Sequence, residues 1–139
     1  MNTGKKPRGI RNNNPLNIRL TKDRWVGRCV TQTDPQFFQF VTMAYGFRAA
    51  FIILRRYMRK YGCETIRSII SRWAPANENN TKGYIERVSQ YVGLDPDEPV
   101  DYDDQDLMID IAEAMSIVEN GGKYVDRHDI ALGYALAGK

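Results

Sequence analysis

Apolar residues recur at helical spacing over most of the chain, and the clearest stretch covers residues 45–61. Four large apolar residues there follow the spacing i, i+4, i+7 and i+11, while most of the basic residues fall off that stripe. They are Phe47, Phe51, Leu54 and Met58. The pattern predicts an amphipathic helix that ends at Gly62, because glycine is favoured where a helix terminates.

Four shorter segments downstream show the same periodicity and predict further helices. They span about 64–73, 82–92, 105–119 and 127–137. Small polar residues that cap helix N-termini precede two of them: Asn80 or Thr81 before the second, and Asp103 or Asp104 before the third. An Asn-Gly-Gly sequence at 120–122 predicts where that third helix ends.

The first forty residues carry turn signals instead of a helical period, in the sequences NNNP, KDRWVG and TDPQ. We therefore expect an irregular or weakly extended N-terminal quarter, with residues 1–7 flexible. A chain of 139 residues is long enough for one hydrophobic core and too short for two ordinary ones. The pattern as a whole predicts a mainly α, single domain over residues 1–139.

Composition narrows the function without identifying it. No apolar run approaches the roughly 20 residues that span a bilayer, and no apolar stretch follows the basic N-terminus. We therefore expect synthesis in the cytoplasm without a signal peptide, and no membrane insertion. Cys29 and Cys63 lack metal-ligand spacing and are interpreted as reduced structural residues. With His128 as the single histidine, neither a metal nor a cofactor is expected.

Charge is divided unevenly along the chain. Residues 1–72 hold 15 lysines and arginines against three acids, a net charge of +12, whereas residues 73–139 hold five against 14, a net charge of −9. Two explanations stay open: the first half faces a polyanion, or the two halves attract each other. A DNA-binding module would use Arg48, Arg55, Arg56, Arg59 and Lys60. No nucleic-acid motif accompanies them, so a nucleic acid is not the expected partner.

The helix predicted before the Asn-Gly-Gly sequence ends with a glutamate on its apolar face. Glu119 follows Met115 by four residues and Met108 by eleven, and it lies where the helix dipole disfavours a negative charge. Burial and the dipole both favour the neutral acid, so we expect a raised pKa. A glycosidase needs such a group as its general acid. The alternative is a partly buried glutamate satisfied by an arginine or a cap. Asp110 and Glu113 look like ordinary solvated residues.

Several motifs together resemble a known family. The sequence NNNPLNIR at 12–19, FFQF at 37–40 and YGFRAAFIILRRY at 45–57 resemble small phage virion proteins of the "NNPGNIR" type. Leu16 stands where that family usually has glycine. The resemblance covers roughly residues 8–93 and implies a virion-associated protein.

The order of the motifs also resembles bacterial glucosaminidases and lytic transglycosylases of the lysozyme-like superfamily. In that group a helix ending in a catalytic glutamate precedes an asparagine-containing loop, aromatic residues and a tyrosine on a later helix. This chain has NPLNIR, FFQF and ENNTKGY in that order, but no glutamate-bearing helix before Arg8. The sequence IAEAMSIVENGGKY at 111–124 looks like the missing helix. The resemblance thus implies a circularly permuted lysozyme-like domain with Glu119 in the catalytic position.

The same resemblance implies a saccharide-binding cleft. The residues expected to bind the substrate are Asn14, Asn17, Glu78, Thr81 and Tyr84. Asparagine amides suit the acetamido and hydroxyl groups of a glycan, although Asn12 and Asn13 could equally shape the turn. Core packing is the alternative for Tyr84, and capping or an arginine partner is the alternative for Glu78. Trp25 and Trp73 could stack on sugars, with Trp73 the better candidate for the core.

The function implied is cleavage of the β-1,4 bond between N-acetylmuramic acid and N-acetylglucosamine, by a lytic transglycosylase or a muramidase, with Glu119 as general acid and base. Peptidoglycan glycan strands, and other virion proteins, are the expected partners, and the bacterial cell wall is the expected place of action. A hydrolytic route would need a second carboxylate, for which Glu78 is a candidate. The alternative function is a non-enzymatic virion protein that keeps the lysozyme-like fold.

Overall fold

The computed structural model describes residues 5–77 and 79–138, and this part of the chain contains six helices. They are α1 (Arg8–Arg11), α2 (Met43–Lys60), α3 (Ile66–Trp73), α4 (Thr81–Val92), α5 (Gln105–Asn120) and α6 (Arg127–Ala137). The mainly α class is confirmed, and so are the five predicted helices. The four-residue α1 was not predicted, because so short an element shows no period.

Capping side chains fix where the helices begin. Thr42 accepts a hydrogen bond from the backbone N–H of Tyr45 at the start of α2. Of the two pairs of candidate caps, Asn80 caps α4 and Asp104 caps α5, each by accepting from a backbone N–H three residues ahead. Gly121 follows α5 in the left-handed conformation, as its sequence predicts.

The core forms where α2 packs along α6, and where α5 packs against both α4 and α6. All four residues of the α2 stripe are buried, as are the three isoleucines of α3. Burial of this kind contributes roughly 1.5–3 kcal/mol for each large apolar side chain. The helices therefore hold a common interior, against which the N-terminal quarter is laid.

The N-terminal quarter is irregular, as predicted, and is tied together by isolated bridges between Arg19 and Phe37 and between Arg28 and Phe40. Gly46 lets the asparagine-rich loop approach the first turn of α2. A Cβ at that position would lie 2.1 Å from the backbone oxygen of Asn13. The loop is thus seated directly on the helical core.

The uneven charge is only weakly neutralised within the molecule. Six ion pairs occur within residues 5–77 and 79–138, and two of them, Arg59–Asp103 and Arg67–Asp97, join the basic half to the acidic half. Arg55 donates to the carbonyl oxygens of Ala137 and Gly138. The basic residues of α2 are therefore divided between internal contacts and the surface. Among the described residues, no helix is long and apolar enough to cross a membrane.

Candidate active site

A cleft of about 350 Å³ opens where the N-terminal quarter meets the helices. The irregular segment contributes Asn17, Arg19, Thr21, Asp23, Trp25 and Phe37 to its lining, among others. The helices and the loop after α3 contribute Ile53, Arg56, Tyr57, Trp73, Ala74, Asn79 and Glu119. Four aromatic rings, two arginines and two carboxylates thus line one concave surface.

Glu119 is half-buried in this cleft, on the last turn of α5. Its Oε1 accepts a hydrogen bond from Asn17 Nδ2 at 3.0 Å, and its Oε2 accepts one from the Tyr84 hydroxyl at 3.0 Å. Both donors are neutral. Glu119 forms no salt bridge with any residue in the described part of the chain. The arginine partner of the structural alternative is therefore not seen there.

Burial raises the pKa of the Glu119 carboxyl above its ordinary value. The hydrogen bonds from Asn17 and Tyr84, the Trp73 indole and the charge of Arg19 act in the opposite direction, and burial outweighs them. Burial also raises the pKa of the Tyr84 hydroxyl, and the neighbouring Glu119 adds to that rise. Tyr84 is consequently a neutral donor at all ordinary pH values.

Three of the four asparagines of the loop serve its own shape. Asn14 is fully buried, and its amide donates to the backbone oxygens of Ile18 and Phe38 while its oxygen accepts from the Ile18 N–H. The expectation that Asn14 binds substrate is therefore corrected, since every polar atom of its side chain is already used inside the fold. Asn12 and Asn13 likewise bond within the N-terminal quarter, to Asp34 and to the Phe40 carbonyl.

Asn17 is the loop asparagine that reaches the cleft. It adopts a left-handed backbone conformation, with φ of 53°, which asparagine tolerates better than most residues. Its amide Nδ2 donates a hydrogen bond to Oε1 of Glu119. The other side, Oδ1, lies against Gly9, where a Cβ would come within 2.6 Å of it. Asn17 therefore lines the cleft and contacts Glu119, and its role in substrate binding stays a prediction.

The structure places the other residues that were expected to bind the substrate in different settings. Tyr84 is buried, yet its hydroxyl reaches Glu119. Thr81 is buried and donates its hydroxyl to the backbone oxygen of Ala74, so it joins α4 to the end of α3 instead of facing a substrate. Glu78 lies outside the described residues. Its neighbour Asn79 lines the cleft.

Several cleft residues were not predicted from the sequence. Arg19, Arg56, Phe37 and Tyr57 line it, and so does Asp23, whose Oδ2 accepts from the Thr21 hydroxyl at 2.7 Å. Trp25 and Trp73, considered for stacking on sugars, both line it as well. The tryptophans could be proposed from the sequence because tryptophan is suited to stacking on sugars. An exposed arginine in a turn or on a helix has no pattern that marks it as a cleft residue.

The cleft holds one carboxyl group, that of Glu119, for which burial favours the protonated form. Its Oε1 faces Asn17 Nδ2 and its Oε2 faces the Tyr84 hydroxyl. Flat aromatic rings around it offer apolar faces to a ligand. No group of three or more histidine, cysteine, aspartate or glutamate residues within 5–77 and 79–138 is arranged to hold a metal ion.

Comparison with known proteins places the chain among bacteriophage proteins. Over 130 residues it is 39% identical to Protein P5 of Pseudoalteromonas phage PM2, covering 91% of this chain and 79% of that protein. The chain belongs to the family of this phage protein. No protein-family profile matches the chain. The resemblances to the "NNPGNIR" type and to the lysozyme-like superfamily stay predictions.

Proposed function

We propose that the chain is a phage virion protein that cleaves peptidoglycan glycan strands, with Glu119 as the general acid and base. The observation that supports this most is the setting of Glu119: a half-buried carboxyl with a raised pKa, hydrogen-bonded by the neutral donors Asn17 and Tyr84 and facing a cleft lined by aromatic rings. The phage relative supports the association with a virion.

In the proposed reaction, Glu119 protonates the oxygen that bridges N-acetylmuramic acid and N-acetylglucosamine, and the bond from that oxygen to C1 breaks. In the transglycosylase route, the resulting carboxylate takes the proton from the 6-hydroxyl of the muramic acid as O6 bonds to C1. The products are a free 4-hydroxyl and a 1,6-anhydro end, and the acid is regenerated. This route needs one carboxyl group, and Glu119 supplies it.

In the hydrolytic route, a water replaces the 6-hydroxyl, and a second carboxylate acts as base or nucleophile. Asp23 lines the same cleft and carries a carboxylate group. The two routes therefore make different demands on this position, since Asp23→Asn is expected to stop hydrolysis and to leave transglycosylation intact.

The proposed fold is a circularly permuted lysozyme-like domain. Its support is the meeting of distant parts of the chain: Asn17, from the N-terminal loop, bonds to Glu119, at the end of α5. In an unpermuted order, a helix ending in the acid would directly precede the asparagine loop. Here the two are joined by contact, and α1 packs against α5.

The test is digestion of purified peptidoglycan by the wild type and by Glu119→Gln, with products read by mass. We expect muropeptides from the wild type and a loss of rate of about 10²–10⁴-fold in the variant, since that is what a positioned general acid contributes. Products lacking one water identify the transglycosylase route. Equal cleavage by both proteins would contradict the role of Glu119, and Glu78 would become the acid to test. No cleavage by either would favour a non-enzymatic virion protein.

A further inference from the structure

Two arginines of the cleft have no acidic partner among the described residues. Arg19 lies in the irregular segment and Arg56 lies on α2, and both side chains are exposed. Neither forms a salt bridge or a side-chain hydrogen bond within residues 5–77 and 79–138. The Arg19 guanidinium lies 5.6 Å from the centre of the Phe37 ring.

Some neighbouring arginines are held by internal contacts, and Arg19 and Arg56 differ from the other arginines without an acidic partner among the described residues in that they line the cleft. Arg8 forms a salt bridge of 2.6 Å with Asp34, Arg55 donates to the end of α6, and Arg72 lies 3.7 Å from the centre of the Tyr61 ring. The basic half of the chain has few acids to offer the remaining cations. Anions that enter this cleft therefore meet two guanidinium groups that form no salt bridge with a residue in 5–77 or 79–138.

We propose that Arg19 and Arg56 form a subsite for carboxylate groups carried by the glycan that occupies the cleft. This inference rests on the proposed function and narrows its substrate to glycan strands that bear carboxylates. Guanidinium groups match carboxylates in shape and charge and bind them through paired hydrogen bonds. Phe37 and Tyr57, from the same two regions, supply apolar surface beside the charges.

The arginines lie at different places relative to the acid. Arg19 is close enough to Glu119 for its charge to act on that carboxyl, whereas Arg56 belongs to α2, next to Tyr57. A strand that reaches both would present one carboxylate near the reacting bond and another farther along. A strand with carboxylates at repeated positions offers one to each arginine.

Carboxylates on such a strand come from two sources, the lactyl group of N-acetylmuramic acid and the peptide attached to it. Three probes separate them: neutral chitotetraose, a GlcNAc–MurNAc tetrasaccharide with free lactyl carboxylates, and the same tetrasaccharide with its peptides. Binding is measured by calorimetry in the Glu119→Gln background, in which cleavage is blocked, at low and at high salt.

We expect both carboxylate-bearing probes to bind more tightly than chitotetraose. A gain with the peptide-free probe assigns the lactyl carboxylate, and a gain with the peptide-bearing probe alone assigns the peptide. Arg19→Gln and Arg56→Gln should each weaken binding of the carboxylate-bearing probe by up to about fivefold, because the ion pairs are exposed. Neither should change the affinity for chitotetraose.

Arg24→Gln is the matched control, because Arg24 is exposed in the same segment as Arg19 but does not line the cleft. Equal affinity for neutral and carboxylate-bearing probes would overturn the subsite. An equal loss of affinity in Arg24→Gln would also overturn it. So would duplex DNA that binds more tightly than the carboxylate-bearing probes and loses affinity in Arg19→Gln and Arg56→Gln. Carboxylate-dependent binding without cleavage by the wild type would contradict the proposed function alone. Cleavage by the wild type, together with equal affinity for the neutral and the carboxylate-bearing probes, would contradict the subsite alone.

Discussion

Helix α5 carries two glutamates that meet opposite kinds of partner. Glu113 is almost wholly buried, and its Oε1 lies 3.0 Å from the Arg127 guanidinium and 2.7 Å from the Tyr91 hydroxyl. Glu119 is half-buried and meets the neutral donors Asn17 and Tyr84. A guanidinium stabilises the carboxylate, whereas burial among neutral groups favours the acid. The difference teaches that two glutamates on one helix can serve different ends: Glu113 is ion-paired between packed helices, and Glu119 meets neutral donors at the edge of the cleft.

The two glutamates also divide α5 into a part that packs against other helices and a part that faces the cleft. The Glu113 face joins α5 to α4 through Tyr91 and to α6 through Arg127, so it connects three elements of the core. The Glu119 end faces the cleft and the N-terminal loop. We therefore expect substitutions on the Glu113 face to change the free energy of unfolding, and those around Glu119 to change cleavage.

The largest effect on stability is expected from Arg127→Met. The substitution leaves the buried Glu113 carboxylate without its guanidinium, which costs about 3 kcal/mol of unfolding free energy. Urea unfolding measures it, and cleavage by the folded variant should stay at the wild-type level. Arg67→Met is the control, because the Arg67–Asp97 pair is exposed and is worth about 1 kcal/mol or less. Equal losses in the two variants would contradict a structural role for the Glu113 face.

Gly9→Ala should disturb the opposite end of α5. A Cβ there would come within 2.6 Å of Oδ1 of both Asn17 and Asn120, so the loop must shift. Overpacking of this kind costs about 1–3 kcal/mol, and cleavage should fall as Asn17 leaves Glu119. The control is Gly122→Ala, where the new Cβ approaches the exposed Tyr124 side chain. Wild-type cleavage by a folded Gly9→Ala variant would show that the loop does not position the acid.

Much of the fold could be predicted from the sequence, because the apolar period of a long helix lies within its own segment of the chain. The same local rules predicted the caps to within one residue, at Asn80 or Thr81 and at Asp103 or Asp104, and the structure has Asn80 and Asp104. The interpretation of Glu113 as solvated was wrong for a physical reason. It falls off the apolar stripe, but α4 and α6 pack on α5 and cover that face too. Spacing on one helix does not show how many neighbours surround it.

The site could be predicted only in part. Glu119 and its raised pKa follow from helix position and from burial of the stripe. The choice between Asn14 and Asn17 does not follow, because equal amides are distinguished by contacts far along the chain, with Phe38 and with Glu119. The arginines of the cleft could not be selected from the sequence either, because tertiary packing determines which arginines have an acidic partner.

A smaller effect is expected from Tyr84→Phe, which removes the donor to Oε2 of Glu119. Losing this hydrogen bond should lower the cleavage rate about tenfold and raise the pKa of Glu119, because the bond favours the carboxylate. A general acid acts in its protonated form, so activity falls as pH rises through that pKa. The variant's alkaline limb should therefore move to higher pH.

The tyrosine on the other glutamate provides the matched control. Tyr91→Phe removes the hydroxyl that bonds to Glu113, and we expect it to leave the pH profile of cleavage unchanged. An equal shift of the profile in both variants would show that the two glutamates are not separated as described.

The central claim is that Glu119 holds a proton which an ordinary exposed glutamate would lose. Titration of the wild-type protein by NMR, observing the side-chain carboxyl carbon of glutamate and assigning Glu119 through the loss of its signal in Glu119→Gln, measures this without any substrate. The account predicts a midpoint above the usual range for glutamate. A midpoint at or below that range would contradict it, because the group in the cleft would then be an ordinary carboxylate.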